Sequence, residues 1–155
     1  GRFRYLFVLQ AFTKIYAVPG IRLGYGISSD KALLERMETV RQPWSVSTPA
    51  QAAGLSALKE DHREEQTRQL VKSERERMEK ELENLRIEYI PSEANFLLFN
   101  SEINWFEELK KRGILIRDCA NYRGLGNGWY RLAVRLPEEN DRLLECMKQV
   151  LNERS

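Results

Sequence analysis

The spacing of apolar residues changes near residue 87, and that change limits the folds that residues 31–155 can adopt. Residues 31–86 place apolar side chains three or four positions apart, which is typical of amphipathic helices. After residue 87, short runs of β-favouring residues alternate with two further helical patterns. From residue 31 on, the sequence predicts three helices, two strands, a helix, two strands and a helix. That order is typical of an α+β domain whose small, largely antiparallel sheet is covered by helices.

The predicted elements have definite bounds and faces. Ser29 or Asp30 is expected to cap the first helix, and Ser47 or Thr48 the second. The predicted helices span 28–42, 47–60, 62–86, 102–113 and 137–154, and the predicted strands span 87–91, 94–100, 114–118 and 129–135. The apolar positions expected to face a core include Leu33, Leu34, Met37 and Val40 on the first helix and Leu70, Met78, Leu82 and Leu85 on the third. The last predicted strand alternates between two faces, and its clearer apolar positions are Trp129, Leu132 and Val134.

Residues 1–30 follow a different pattern. Residues 4–10, RYLFVLQ, are rich in aromatic and β-favouring residues and predict a buried strand, and IRLGYGI, at 21–27, predicts a second one. The intervening AFTKIYAVPG predicts a loop. Two strands joined in this way do not make a domain, so we expect them to form the edge of a larger sheet.

Composition and residue counts exclude several classes of function. A net charge of +2 gives no reason to expect a nucleic-acid or membrane partner, and no apolar run reaches the about 18 residues that span a bilayer. The two cysteines, Cys119 and Cys146, lack metal-ligand spacing and favour a reducing, cytoplasmic location. With His62 as the single histidine, we expect no metal site and no Ser/His/Asp triad.

One apolar stretch, FTKIYAVPGIRLGYG at 12–26, contains a single lysine and, eight positions later, a single arginine. A lysine in apolar surroundings loses solvation, which favours the neutral, nucleophilic amine that forms Schiff bases with aldehydes. The guanidinium of Arg22 would suit a phosphate. Lys14 and Arg22 together would therefore suit pyridoxal phosphate, an aldehyde that carries a phosphate. The alternative is an ordinary pair of surface cations at the ends of two strands.

This stretch resembles the cofactor-lysine segment of the fold-type I pyridoxal-phosphate enzymes, the class I and II aminotransferase superfamily. The resemblance implies that Lys14 bonds to the cofactor and acts as the catalytic base, and that Arg22 and Thr13 bind the cofactor phosphate. Many members have Ser or Thr three residues before the lysine, where this chain has Ala11. One phosphate contact is therefore expected to be missing or to come from elsewhere.

The resemblance continues through RQPWSVSTPAQAAGLSAL, PSEANFLLFN and GILIRDCANYRGLGNGWYRLAVRLPEENDRLL. These segments are similar to the histidinol-phosphate aminotransferase branch, and PWSV and RDCANY are most similar to its relatives, the threonine-phosphate decarboxylases of cobalamin synthesis. In that branch the arginine of the YRLAVR strand, here Arg131, binds the substrate carboxylate. Asn95 and Arg117 are weaker substrate-binding candidates. An ordinary solvent-facing arginine is the alternative for Arg131, and Gly124–Gly128 predicts a plain turn rather than a phosphate loop.

The resemblance covers nearly the whole chain but only the C-terminal part of the family. It implies that residues 1–30 are the last strands of a large cofactor-binding domain and that 31–155 are the small α+β domain. It further implies a homodimeric parent that acts on a phosphorylated or small polar amino acid. We expect the 155-residue chain alone to fold, to self-associate through its N-terminal strands and to be inactive. Decarboxylation and transamination both stay open, and a non-catalytic α+β interaction module is the alternative of another class.

Overall fold

A computed structural model describes residues 3, 5–60 and 62–154, and the chain divides into two compact units, Gly1–Thr67 and Arg68–Ser155. In chain order the elements are β1 (Phe7–Ala11), α1 (Phe12–Ile15), β2 (Gly24–Ser28), α2 (Lys31–Val40), α3 (Thr48–Ala57), α4 (Arg63–Asn84), β3 (Tyr89–Ile90), β4 (Phe96–Asn100), α5 (Trp105–Lys111), β5 (Arg117–Asp118), β6 (Trp129–Ala133) and α6 (Pro137–Asn152).

The order of elements predicted for residues 31–155 is confirmed: α2, α3 and α4, then β3 and β4, α5, β5 and β6, and finally α6. The strands are shorter than predicted, and β5 keeps only Arg117 and Asp118 of the predicted 114–118. Of the first predicted strand, Arg4 lies outside the described residues. The prediction that this strand is buried is wrong, because Val8 and Leu9 on β1 are exposed. The assignment of residues 1–30 and 31–155 to the family's two domains stays a prediction.

In the first unit, β1 and β2 form an antiparallel pair from Phe7 opposite Ser28 to Ala11 opposite Gly24. A Cβ atom on Gly24 would lie 2.9 Å from the carbonyl oxygen of Gln10, so this close pairing requires glycine there. The connection between the strands differs from the predicted loop, because it begins with the four-residue helix α1. Strand β2 also starts later than predicted, because residues 19–21 form a 3-10 turn.

Helices α2 and α3 begin where their side-chain caps predict. The carboxylate of Asp30 accepts a hydrogen bond from the Leu33 backbone N–H at 3.0 Å, and the hydroxyl of Ser47 accepts one from Ala50 at 3.3 Å. Each cap is one of the two predicted candidates. The predicted core face of α2 is wrong for the described structure, because all of its large apolar side chains are exposed: Leu33, Leu34, Met37 and Val40.

In the second unit, a four-stranded sheet has the order β3-β4-β6-β5, and every pairing is antiparallel. This confirms the predicted small antiparallel sheet. One face of the sheet packs against side chains of α4, α5 and α6, and Trp105 and Phe99 meet edge to face with ring centroids 6.4 Å apart. The buried cluster consists of Met78, Leu82, Ile87, Leu97, Phe99, Trp105, Leu109, Tyr130, Leu132, Val134, Leu143, Leu144, Met147 and Val150.

Two of the apolar positions that the sequence marks, Trp129 and Leu70, are not buried. On β6, Tyr130 and Leu132 are buried and Trp129 is only half-buried, because alternate residues of a strand face opposite sides. On α4, Met78 and Leu82 are fully buried but Leu70 is exposed. The position one turn before Met78 is occupied by Glu74, whose carboxylate is buried because it has polar partners.

The corner between β6 and α6 is fixed by a buried amide. The Asn140 side chain accepts a hydrogen bond from the Arg135 backbone N–H at 3.0 Å and donates one to the Arg135 carbonyl oxygen at 2.9 Å. It also donates to the Glu74 carboxylate at 2.7 Å, and Arg77 binds the same carboxylate at 2.7 Å and 3.1 Å. This network ties α4 to the end of the strand that carries Arg131. Within the described ranges, no helix is long and apolar enough to cross a membrane.

Candidate cofactor and substrate residues

Lys14 lies in α1, the single helical turn that follows β1 directly. The ring of Phe12 is buried, stacks on Tyr16 with centroids 5.0 Å apart and meets Tyr25 edge-on at 6.0 Å. Two residues along a helix point to nearly opposite sides, so the turn that buries Phe12 leaves Lys14 exposed. The expectation that apolar neighbours desolvate this lysine is therefore wrong for the described structure. The ammonium of Lys14 forms no hydrogen bond or ion pair with any residue that the structure describes.

Arg22 has a left-handed backbone, with φ 55° and ψ 47°, directly after the 3-10 turn. Ala17, on the other side of that turn, is also left-handed at φ 52°. Each such non-glycine residue costs on the order of 1 kcal/mol, and such strain is concentrated at binding and catalytic sites. The Arg22 side chain is exposed, and its Nη1 donates to the Pro19 carbonyl oxygen at 3.1 Å. The loop thus holds an arginine in a strained position with most of its donors free for another acceptor.

Two further residues border the lysine. Thr13 is half-buried on α1, immediately before Lys14. The hydroxyl of Tyr16 donates to the carboxylate of Glu64 at 2.8 Å, and this hydrogen bond raises the pKa of Tyr16. The Tyr16–Glu64 contact fixes the turn that follows α1. The sequence alone does not reveal this contact, because it joins residues that are 48 positions apart.

Arg131 lies on β6, directly opposite Arg117 of β5 in the antiparallel register. Directly opposite residues project from the same face of a sheet with Cβ atoms about 5 Å apart. The guanidinium of Arg131 lies 5.2 Å from the ring centroid of Phe96. That of Arg117 lies 5.3 Å from the Tyr122 ring and donates to the Asn121 amide oxygen at 3.0 Å. Strand pairing therefore places the two arginines opposite each other on neighbouring strands, and within the described chain neither guanidinium has a carboxylate partner.

Both arginines line a cavity of about 290 Å³. Arg135 and Arg142 line the same cavity, and neither was predicted as a site residue. Asn95, the third substrate-binding candidate, is not among the residues that line it. Instead, the backbone carbonyl of Asn95 accepts a hydrogen bond from the Val134 N–H at 2.9 Å, which extends the pairing of β4 with β6.

The candidates fall into two sets, one in each compact unit. Thr13, Lys14 and Arg22 belong to Gly1–Thr67, and Arg117 and Arg131 belong to Arg68–Ser155. The first set offers an amine, a hydroxyl and a guanidinium within ten residues of chain. The second offers two arginines on directly opposed positions of neighbouring strands. Each set can bind an anion, and the first can also bond to an aldehyde.

Residues 2–146 match the family Aminotransferase class I and II. The chain belongs to this family. The threonine-phosphate decarboxylase of Salmonella typhimurium is 39% identical to it over 151 residues, which are 95% of this chain and 42% of that relative. The crystal structure of the histidinol-phosphate aminotransferase from Clostridium acetobutylicum superposes with a TM-score of 0.92 at 32% identity, covering 98% of this chain and 47% of that one.

The family assignment confirms the predicted resemblance and the mixed helix and sheet fold of the fold-type I enzymes. Aminotransferases of class I and II depend on pyridoxal phosphate. A histidinol-phosphate aminotransferase from Sinorhizobium meliloti was solved in complex with pyridoxal-5'-phosphate, and it shares the fold with a TM-score of 0.75 at 17% identity, covering 98% of this chain and 42% of that one. This chain spans less than half the length of each of these relatives.

Proposed function

We propose that this chain is part of a pyridoxal-phosphate enzyme that acts on a phosphorylated amino acid, as a threonine-phosphate decarboxylase does. The observation that carries the proposal is the direct pairing of Arg117 with Arg131 on one face of the sheet. A phosphorylated amino acid has two anionic groups, a carboxylate and a phosphate, and each suits one guanidinium fork. The second candidate is a histidinol-phosphate aminotransferase, which the 32% identity to the Clostridium enzyme supports.

The residues of the first unit fit the cofactor. Pyridoxal phosphate has an aldehyde and a phosphate, and the chain presents an exposed amine on Lys14 and an exposed guanidinium on Arg22. Lys14 would hold the aldehyde end, and Arg22 and Thr13 would hold the phosphate. When bound, the cofactor supplies an electron sink for the electrons that remain when a bond to the substrate's α-carbon breaks.

The chain's own residues then have distinct roles. Arg131 binds the α-carboxylate and is held on a strand whose far corner is fixed by Asn140. Arg117 binds the phosphate, with Asn121 and Tyr122 restricting its side chain. The Nζ atom of Lys14 moves the proton at the α-carbon. Which bond breaks follows from how Arg131 orients the carboxylate, with loss of CO₂ in a decarboxylase and loss of a proton in an aminotransferase.

The two candidate substrates use this pair of arginines differently. Threonine phosphate carries its carboxylate and its phosphate on one small molecule, so it would engage Arg117 and Arg131 at once. Histidinol phosphate carries a phosphate and no carboxylate, so it would leave Arg131 to an amino-acid co-substrate. The pairing of Arg117 with Arg131 in the sheet therefore favours threonine phosphate.

The substrate part of the proposal is tested by titrating the 155-residue chain with O-phospho-L-threonine and with L-threonine, using calorimetry. We expect phosphothreonine to bind more tightly, because it engages both arginines. Arg131→Gln and Arg117→Gln should each weaken it roughly tenfold or more, since a charge-assisted hydrogen bond contributes about 1.5–3 kcal/mol. Equal affinity for the two ligands, or full binding by Arg131→Gln, would contradict the assigned roles.

We also propose a homodimer in the cytoplasm. The dimer is supported by the apolar side chains that β1 and β2 expose. The location is supported by the two thiols, Cys119 and Cys146, both of which are free.

A further inference from the structure

The cavity that Arg117 and Arg131 line has a second cationic end, which the proposed function does not use. On β6 and just beyond it, buried Tyr130, Leu132 and Val134 alternate with the outward positions 131, 133 and 135. Arg135 therefore faces the same side as Arg131, with the two Cα atoms roughly 13 Å apart along the strand. Arg142, on α6, lines the cavity beside Gly113.

The guanidinium groups at this second end are only weakly engaged. Arg135 pairs with Glu139 at 2.7 Å, but both side chains are largely exposed, and such a pair contributes little. Nη2 of Arg142 makes one long hydrogen bond, 3.5 Å, to the Arg112 carbonyl oxygen. Both arginines therefore keep donors that an incoming ligand could use.

The charge in the cavity is unbalanced. Four guanidinium groups line it, and the single lining carboxylate is that of Glu139. Part of the wall is apolar, formed by Ile114, Ile116 and Leu143. Apolar walls lower the local dielectric constant, so repulsion between the arginines and attraction for an anion are both stronger here than at an open surface.

We propose that Arg135 and Arg142 form a second anion-binding position in this cavity, one that takes a small phosphate-bearing molecule. A planar carboxylate satisfies one guanidinium fork, whereas the oxygens of a tetrahedral phosphate can accept from two forks at once. The volume of about 290 Å³ suits a small ligand rather than a nucleotide. The proposed position is formed by Arg135 and Arg142, so it does not depend on the roles proposed for Arg117, Arg131 or Lys14.

The experiment is a calorimetric titration of the 155-residue chain with inorganic pyrophosphate at constant ionic strength. We expect saturable binding that Arg142→Gln weakens roughly tenfold or more, and Arg135→Gln by a smaller factor because Glu139 already engages that side chain. Arg142→Lys keeps the positive charge but removes the paired N–H donors of the guanidinium group. It should therefore bind pyrophosphate with an affinity between those of the wild type and Arg142→Gln. It also decides the matter if Arg142→Gln fails to fold.

Arg123→Gln is the matched control, because it removes one exposed arginine of the same unit that does not line the cavity. We expect it to change the affinity by less than about twofold. The proposal is overturned if no saturable binding occurs, or if Arg123→Gln weakens binding as much as Arg142→Gln. It is also overturned if Arg131→Gln abolishes binding while Arg142→Gln leaves it intact, since pyrophosphate would then occupy only the Arg117–Arg131 pair.

Discussion

The two compact units of this chain differ in how they use apolar side chains. Arg68–Ser155 buries a contiguous cluster that includes Trp105, Phe99 and Leu132, each fully inaccessible to solvent. In the described part of Gly1–Thr67, the buried hydrophobic residues are Phe12 and Ala50, whereas Leu9 is 76% exposed and Trp44 is 97% exposed. The first unit therefore has many apolar side chains but buries few of them.

This difference shows that a regular apolar pattern in the sequence does not guarantee that the side chains are buried. The apolar residues of helix α2 have the spacing of a helix that packs on a core, yet the face that they form is exposed in the described structure. The candidate cofactor residues Lys14 and Arg22 lie in the unit that lacks a core, and the candidate substrate residues lie in the unit that has one. Amphipathic spacing therefore predicts which face of an element is apolar, but not whether another surface covers it.

The largest effect should come from truncating a matched pair of tryptophans, one from each unit. Trp105→Ala removes a fully buried ring that packs edge to face on Phe99, so it should destabilise the protein by about 4 kcal/mol. Trp44→Ala removes an almost fully exposed ring and should change stability by less than about 0.5 kcal/mol. Urea unfolding followed by circular dichroism measures both. Equal costs would mean that the two units do not differ in packing.

A second, smaller effect should come from the buried polar network, and it should depend on pH. The hydrogen bond from Arg77 lowers the pKa of Glu74 below its ordinary 4.5, with a further contribution from Asn140. A carboxyl with a lowered pKa stabilises the folded state above its ordinary pKa, and this contribution is lost as the pH falls below 4.5 through the folded-state value. Glu74→Gln should cost about 2 kcal/mol at neutral pH and progressively less in acid.

The control for this prediction lies on the same helix. Glu76 pairs with Lys72 at 3.9 Å, and both side chains are largely exposed. Glu76→Gln should therefore change stability by less than about 0.5 kcal/mol at any pH. The measurement is the urea unfolding midpoint of the wild type, Glu74→Gln and Glu76→Gln at several pH values between neutral and acid. If Glu74→Gln and the wild type lose stability in parallel as the pH falls, Glu74 is not the group responsible.

A third effect concerns the exposed strands of the first unit. Leu9 on β1 and Ile27 on β2 are 76% and 58% exposed, and exposed edges of apolar strands recruit other chains. We expect the chain to form a two-fold dimer through these strands, and Leu9→Lys to weaken it roughly tenfold. Leu115→Lys, at a 75% exposed leucine of the second unit, should have no such effect. A monomer at high concentration by light scattering would contradict this prediction.

Local chemistry in the sequence predicted part of this structure. The caps Asp30 and Ser47 are short-range features, and both were among the predicted candidates. Gly124, Gly126 and Gly128 all have positive φ, which confirms the predicted turn before β6. These features depend on a few neighbouring residues, so they can be recognised without knowing the fold.

Features that depend on long-range packing were not predicted. Trp129 and Tyr130 are both aromatic, so the sequence did not show which of them faces the core. The left-handed backbone of Arg22 has no glycine to indicate it. The pairing of Arg117 with Arg131 depends on strand register, and the approach of Arg142 to the same cavity depends on where α6 packs. The candidate residues were therefore identified one by one, but their grouping required the structure.

The most direct test of the account is to locate the lysine that reacts with the cofactor. The 155-residue chain is incubated with pyridoxal phosphate, reduced with borohydride, digested and mapped by mass spectrometry. We expect the label on Lys14, because Lys72, Lys110, Lys111 and Lys148 are each paired with a glutamate, whereas Lys14 has no such partner in the described structure. Lys14→Arg should abolish this label, Arg22→Gln should reduce it, and Lys59→Arg, at an exposed lysine of the same unit, should leave it unchanged. A label spread evenly over the lysines, or undiminished in Lys14→Arg, would contradict the assignment of Lys14 as the cofactor lysine.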